Sequence, residues 1–160
     1  MIIKTRLTEK DFIRAFFTII YNKPIIKVFI GIAVFYTAIL TIQLAGGAGK
    51  ALPDFFVPVF VLIAFPCIFY FTAKKNYASN KRISEPVEYR FDKDLLVIKG
   101  ESFTAEFTWD KIHKVSQTKS LLLIWQTPQL VNIIPKRDIW EGDLLALKEI
   151  LGHHRVKNNL

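Results

Sequence analysis

Two long uncharged runs interrupt an otherwise mixed chain. Val28 to Gly49 reads VFIGIAVFYTAILTIQLAGGAG, and Phe55 to Ala73 reads FFVPVFVLIAFPCIFYFTA. A helix needs ~20 apolar residues to cross a hydrocarbon core ~30 Å thick. The first run is ample and the second is about the minimum. A chain of 160 residues holds too little other protein to bury both as core helices. The pattern therefore predicts a transmembrane hairpin over 25–76, with spans at about 25–46 and 54–73. The first run starts too deep, is too long, and is followed by a second, unlike a cleaved signal peptide. GGAGKALPD between the runs predicts a tight turn, which puts both chain ends on one side. Pro58 and Pro66 predict kinks in the second helix. Gly31, Ala38 and Ala45 recur every seven residues. Such a small-residue stripe either packs against the second span or forms a homo-oligomer interface.

Residues 1–24 read as an amphipathic arm. Thr8 with Asp11 three positions on is a helix-start pattern. On a helical wheel Phe12, Phe16, Ile19 and Ile20 share a face, with Lys10, Asp11, Arg14 and Thr18 opposite. That helix either lies in the headgroup plane or packs as core.

Beyond the spans, 77–84 reads as a polar, basic linker. From Glu85 the period changes to two. Val87, Tyr89 and Phe91 alternate with polar residues, FDKDLL supplies a turn, and LLVIK follows. Phe103, Ala105, Phe107 and Trp109 alternate with Ser102, Thr104, Glu106 and Thr108, the cleanest half-buried strand in the chain. Further strands are expected at Lys114–Thr118, Leu121–Gln126 and Leu130–Ile134. Leu144, Leu147 and Leu151 have helical spacing over Asp143 to Leu151. A bent antiparallel sheet whose open end is covered by a terminal helix satisfies this order. The expected fold class is a membrane α-helical hairpin plus an α+β domain over 85–152. That domain is expected to be an antiparallel, pleckstrin-homology-like sheet or barrel closed by the C-terminal helix. Residues 153–160 read as a frayed basic tail.

Charge places these parts. The formal net charge is +8. On a soluble chain that balance would raise nucleic acid as a partner. Here the basic residues sit beside apolar runs, so the bilayer is the expected partner and nucleic acid is not. Arg14, Lys23 and Lys27 precede the first span, and Lys74, Lys75, Lys81 and Arg82 follow the second. The intervening turn has only Lys50, beside Asp54. Positive charge marks the cytoplasmic side, so both termini and the α+β domain are expected in the cytoplasm of a multi-pass cell-membrane protein. The spans carry no acid, base or histidine of the kind that lines proton or ion paths.

Candidate chemistry is sparse. There is no GxSxG, no HExxH and no Gly-rich phosphate loop with its lysine. His113, His153 and His154 have no supporting ligand pattern, and the single cysteine, Cys67, lies in an apolar run. No reaction, cofactor or metal is expected. Trp109, Trp125 and Trp140 read as packing residues, with a membrane-interface position as the alternative for Trp125. In NIIPKRDIW, Pro135 ends a strand, and Lys136 and Arg137 either solvate the following turn or hold an anionic headgroup. With Lys74, Lys75, Lys81 and Arg82 they make up the candidate lipid-contact set.

Taken together, the "LTEKDFIRA" arm, the two-span hairpin, the "VEYRFDKDLLVIKGESFTAEFTWDKIHKV" block and "NIIPKRDIW" before a final helix resemble the YcxB-like bacterial membrane proteins. The likeness runs over nearly the whole chain. Its most specific part is the Trp109-Asp110 strand exit with Ile112 and Val115, then IIPKR. The resemblance implies a membrane-anchored cytoplasmic domain and no assigned reaction. The expected role is therefore a non-catalytic module for a protein partner or self-association. An anionic-lipid-surface sensor and an accessory subunit of a larger transporter are the alternatives.

Overall fold

A computed structural model describes residues 1–47, 54 and 56–160. The chain forms two compact units, one of Ile13–Asn76 and one of Met1–Phe12 with Tyr77–Leu160. The expected turn between the spans, with Lys50, lies outside the described residues.

The helical unit holds most of α1 (Glu9–Tyr21), all of α2 (Pro24–Ala45) and most of α3 (Phe56–Ser79). Both α2 and α3 are long and apolar enough to cross a membrane, with mean hydropathies of 2.3 and 2.2. The 22 residues of α2 extend ~33 Å at ~1.5 Å per residue. Proline opens α2, where its missing N–H costs nothing, and Gly47 at φ 76° follows its end. The buried residues of α2 are Ala33 and Leu40, and α2 packs along the first part of α3. Gly31, Ala38 and Ala45 are exposed, so the small-residue stripe is not the packing face between the spans.

Pro58 sits in the first described turn of α3, where helix N–H groups lack intrahelical acceptors anyway. Pro66 has no such excuse. Just before it Phe60–Ala64 are π-helical, and the Phe65 N–H reaches back five residues to the Phe60 carbonyl. Of the two prolines, only Pro66 is therefore accompanied by a helical distortion. Beyond Ala73 nothing breaks the helix, so α3 runs on to Ser79. The short α4 (Lys81–Ser84) follows, its first turn capped by Asn80 Oδ1 accepting from the Arg82 N–H. The stretch expected to be a linker is thus largely helical.

The β unit contains seven strands in two antiparallel sheets. One has the order β1 (Ile2–Arg6), β2 (Pro86–Phe91), β3 (Leu95–Lys99), β4 (Thr104–Thr108); the other β5 (Lys114–Gln117), β6 (Leu121–Trp125), β7 (Val131–Pro135). Helix α5 (Glu141–His153) follows. Strand β1 pairs with β2 in the register Ile3↔Tyr89. The segment falls within the expected amphipathic arm of residues 1–24. Its alternation of buried Ile3 and Thr5 with exposed Ile2, Lys4 and Arg6 instead makes it an edge strand.

No ladder joins the two sheets, so the expected barrel is not closed. The inner faces meet over Phe91, Leu96, Trp109, Leu122 and Ile134, and α5 covers them with Leu147 and Leu151. Each such side chain contributes about 1.5–3 kcal/mol by leaving water. The tail is not frayed. Arg155 turns at φ 53°, the Val156 N–H reaches the Leu151 carbonyl, and Val156 is buried. The Val115 N–H then donates to the Lys157 carbonyl, and Asn159 accepts from the Gln117 N–H through Oδ1. The tail thereby covers the outer edge of β5.

Candidate functional site: the turn from Pro135 to Trp140

Pro135 closes β7 and Lys136–Asp138 form one 3-10 turn before α5. The two cations of this turn are engaged. Lys136 Nζ donates to Gln117 Oε1 of β5. Arg137 grips Asp11 with a fork: Nη1 donates to Oδ1 at 2.8 Å and Nη2 to Oδ2 at 2.7 Å. Paired guanidinium–carboxylate bonds are among the stronger polar contacts in proteins. Asp138 Oδ2 accepts from Thr5 Oγ1 of β1 at 2.6 Å, while its Oδ1 stands 3.6 Å from Arg137 Nε.

Asp11 was expected on the solvent face of the N-terminal helix. It is buried, and it is also the cap partner that the Thr8 pattern predicted. The Asp11 N–H donates to Thr8 Oγ1 at 3.3 Å, while Thr8 N–H and Oγ1–H both donate to Asp11 Oδ2, at 3.0 and 2.6 Å. The Arg137 fork, then the Thr8 bonds, hold the carboxyl down at about 2 against the opposing cost of burial. The carboxylate in turn raises Arg137 above its ordinary value. One acid therefore joins the start of α1 to the turn after β7.

The turn then delivers a tryptophan to solvent. Trp109 is buried at the core, with Nε1–H donating to the Asp92 carbonyl. Trp125 is half-buried, donates to Ser116 Oγ and lies under Lys114. Trp140, at the cap position of α5, is 82% exposed, and Leu145 in the next turns is 66% exposed. The expectation that Trp140 is a packing residue is thus corrected. Only its neighbours Ile139 and Leu144 turn inward against the core.

Of the other candidate lipid contacts, Lys74 and Lys75 lie on α3 in the helical unit, and Lys81 and Arg82 on α4 in the β unit. The Arg82 guanidinium stacks over Phe103 at 5.8 Å. His154 stacks on Trp109, its Nε2–H donating to the Lys93 carbonyl at 2.6 Å. His113 is exposed. Among the described residues no group of three or more His, Cys, Asp or Glu is placed to hold a metal ion.

A second feature has no local signal in the sequence. A cavity of about 240 Å³ opens in the β unit between β1–β2, β7 and α4. Leu7, Val87, Phe103 and Ile133 supply apolar wall, and Thr5, Arg82, Glu85 and Asn132 supply polar groups.

Residues 91–151 match the family model described as YcxB-like protein. The chain therefore carries a YcxB-like domain, and the match covers β3 to most of α5 without β1, α1 or the two long apolar helices. No curated protein and no solved structure matches the chain.

Proposed function

Taking the YcxB-like domain of residues 91–151 as the premise, we propose that the chain is a non-catalytic membrane anchor presenting that domain for protein–protein association, a second copy of itself included. The observation that carries this reading is Trp140. Tryptophan is enriched at binding hot spots because it buries a large apolar area with few torsions to freeze. Here its neighbours in sequence are fixed from both sides, by the Arg137–Asp11 fork and by α5 seated on the core. A rigid mount lowers the ordering cost of docking.

Two long apolar helices between β1 and β2 support the membrane reading. The β1–β2 ladder requires residues 2–6 and 86–91 to share one compartment. A hairpin that crosses the bilayer twice meets that requirement whichever side the domain occupies. The basic flanks then favour the cytoplasm for both termini. A four-strand sheet, a three-strand sheet and a C-terminal helix, in that order, favour a pleckstrin-homology-like architecture with the hairpin inserted after its first strand.

The lipid-surface reading has less in its favour. Arg137 is forked to Asp11 and Lys136 is bonded to Gln117, so that reading leans on the cations of α3 and α4. Co-purification from gently solubilised membranes separates the alternatives. The wild-type chain should retain a protein partner or a second copy, and Trp140→Ala should lose it. Retention of one larger transporter would favour the accessory-subunit role. Recovery of the wild-type chain only as a lone monomer would contradict the association reading.

A further inference from the structure

Helix α5 has a projecting aromatic side chain at one end and a hollow at the other. Trp140 stands exposed at its start. At its far end a cleft of about 330 Å³ opens beside the β2–β3 turn, walled by Lys93, Asp94, Glu149, Ile150, His153 and His154. A cavity of ~150 Å³ holds a benzene ring, so the cleft has room for an indole. An indole N–H needs an acceptor once it leaves water, and Asp94 and Glu149 supply carboxylates. Between the two ends, Gly142, Leu145, Glu149 and Gly152 are all exposed. Glycine weakens a helix relative to almost any other residue. Neither glycine is required by its own surroundings: a Cβ at Gly142 or Gly152 would meet nothing within 4 Å, and neither has a positive φ. What exposed glycines do allow is the close approach of another backbone.

We propose that this face binds a second copy of the chain, two α5 helices packing antiparallel over their glycines, with Trp140 of each copy filling the cleft at the end of the other's helix. One register satisfies every feature. The antiparallel pairing that sets Gly142 against Gly152 also sets Trp140 against His154, Glu141 against His153 and Leu145 against Glu149. Charge agrees with it. The acidic first turn, with Glu141 and Asp143, faces the basic end, with His153 and Arg155, and the two helix dipoles oppose. A parallel pair would set like ends together and leave each tryptophan far from a cleft. A twofold pair makes each contact twice and closes on itself. The pairing rests on the association reading of Trp140 and narrows its partner to this chain.

The test uses the full chain in native membranes, with a photo-crosslinking aromatic amino acid at position 140. Irradiation should give an adduct of twice the chain's mass. Peptide mass spectrometry should place the link on residues 93–94 or 149–154 of the second copy. Gly142→Met and Gly152→Met, each combined with the photoreactive group, should reduce that adduct about tenfold or more, because a side chain there overfills the helix contact. Both should melt at or above the temperature of the unsubstituted chain, since a Cβ has open space at either position and methionine favours a helix. An adduct undiminished in both variants, or one linked to another surface of the second copy, would overturn the pairing. So would a lower melting temperature in both, which would give the glycines a role within their own copy. A discrete adduct with a different protein would overturn it too, while leaving the broader association reading intact. No protein adduct at all would overturn both.

Discussion

Asp11 is the residue through which the β unit is tied together at its polar end. Its pKa is held at about 2, below the ordinary 3.8. A depressed carboxylate contributes stability that is fully present above its unfolded value and is lost as pH falls through the folded one. Asp11→Asn should accordingly cost ~1–2 kcal/mol at pH 7, a figure held down because Arg137 is half exposed. The deficit should shrink between about pH 4 and pH 2, measured by denaturant unfolding of both proteins across that range. Arg137→Ala should cost a similar ~1–2 kcal/mol, since the acid stays buried without its fork. Arg137→Lys should recover only part of it, because an ammonium cannot make both bonds. None of this was legible from NIIPKRDIW alone. The partners lie 126 residues apart in the chain, and a lysine–arginine pair after a proline looks the same whether solvated or engaged. The Thr8–Asp11 cap, by contrast, is a local pattern and was legible at once.

At the scale of elements, six of the seven strands and the last helix were readable because alternation and turn residues are local signals. FDKDLL marks the β2–β3 turn and Gly100-Glu101 the β3–β4 turn without help from the rest of the chain. Strand β1 was not readable. Its five residues hold only two inward positions, and its partner follows two long apolar helices, so no hairpin signal exists. It nonetheless contributes Ile3 to the core beside Tyr89 and Phe91. Ile3→Ala should cost ~2–4 kcal/mol. A fragment of residues 77–160 should be poorly ordered by NMR dispersion, whereas residues 1–12 joined to 77–160 by a flexible linker should give a dispersed, folded spectrum. Equal dispersion in both would show that β1 is dispensable. Trp140 escaped for the opposite reason. A tryptophan ahead of an amphipathic helix has the local look of a core residue, and only the direction of the 3-10 turn sends it outward.

For the whole molecule, the pairing of the first strand with one that follows both long helices constrains topology more firmly than charge does. A hairpin crossing twice returns the chain to the compartment it left. Cysteine introduced at Lys50, with Cys67 replaced by alanine, should react with an impermeant maleimide added outside intact cells. Cysteine at Lys4 or Asn158 should react only after permeabilisation. Labelling of the two termini from opposite sides would be incompatible with the β1–β2 ladder. The central claim is that a bilayer-tethered domain presents Trp140 to a protein partner. Its most direct test is a photo-crosslinking amino acid placed at position 140 of the full chain, irradiated in native membranes and compared with the same group at exposed Lys99. The account predicts a discrete protein adduct from position 140 and none from position 99. No adduct at 140, or only lipid adducts there, would contradict it.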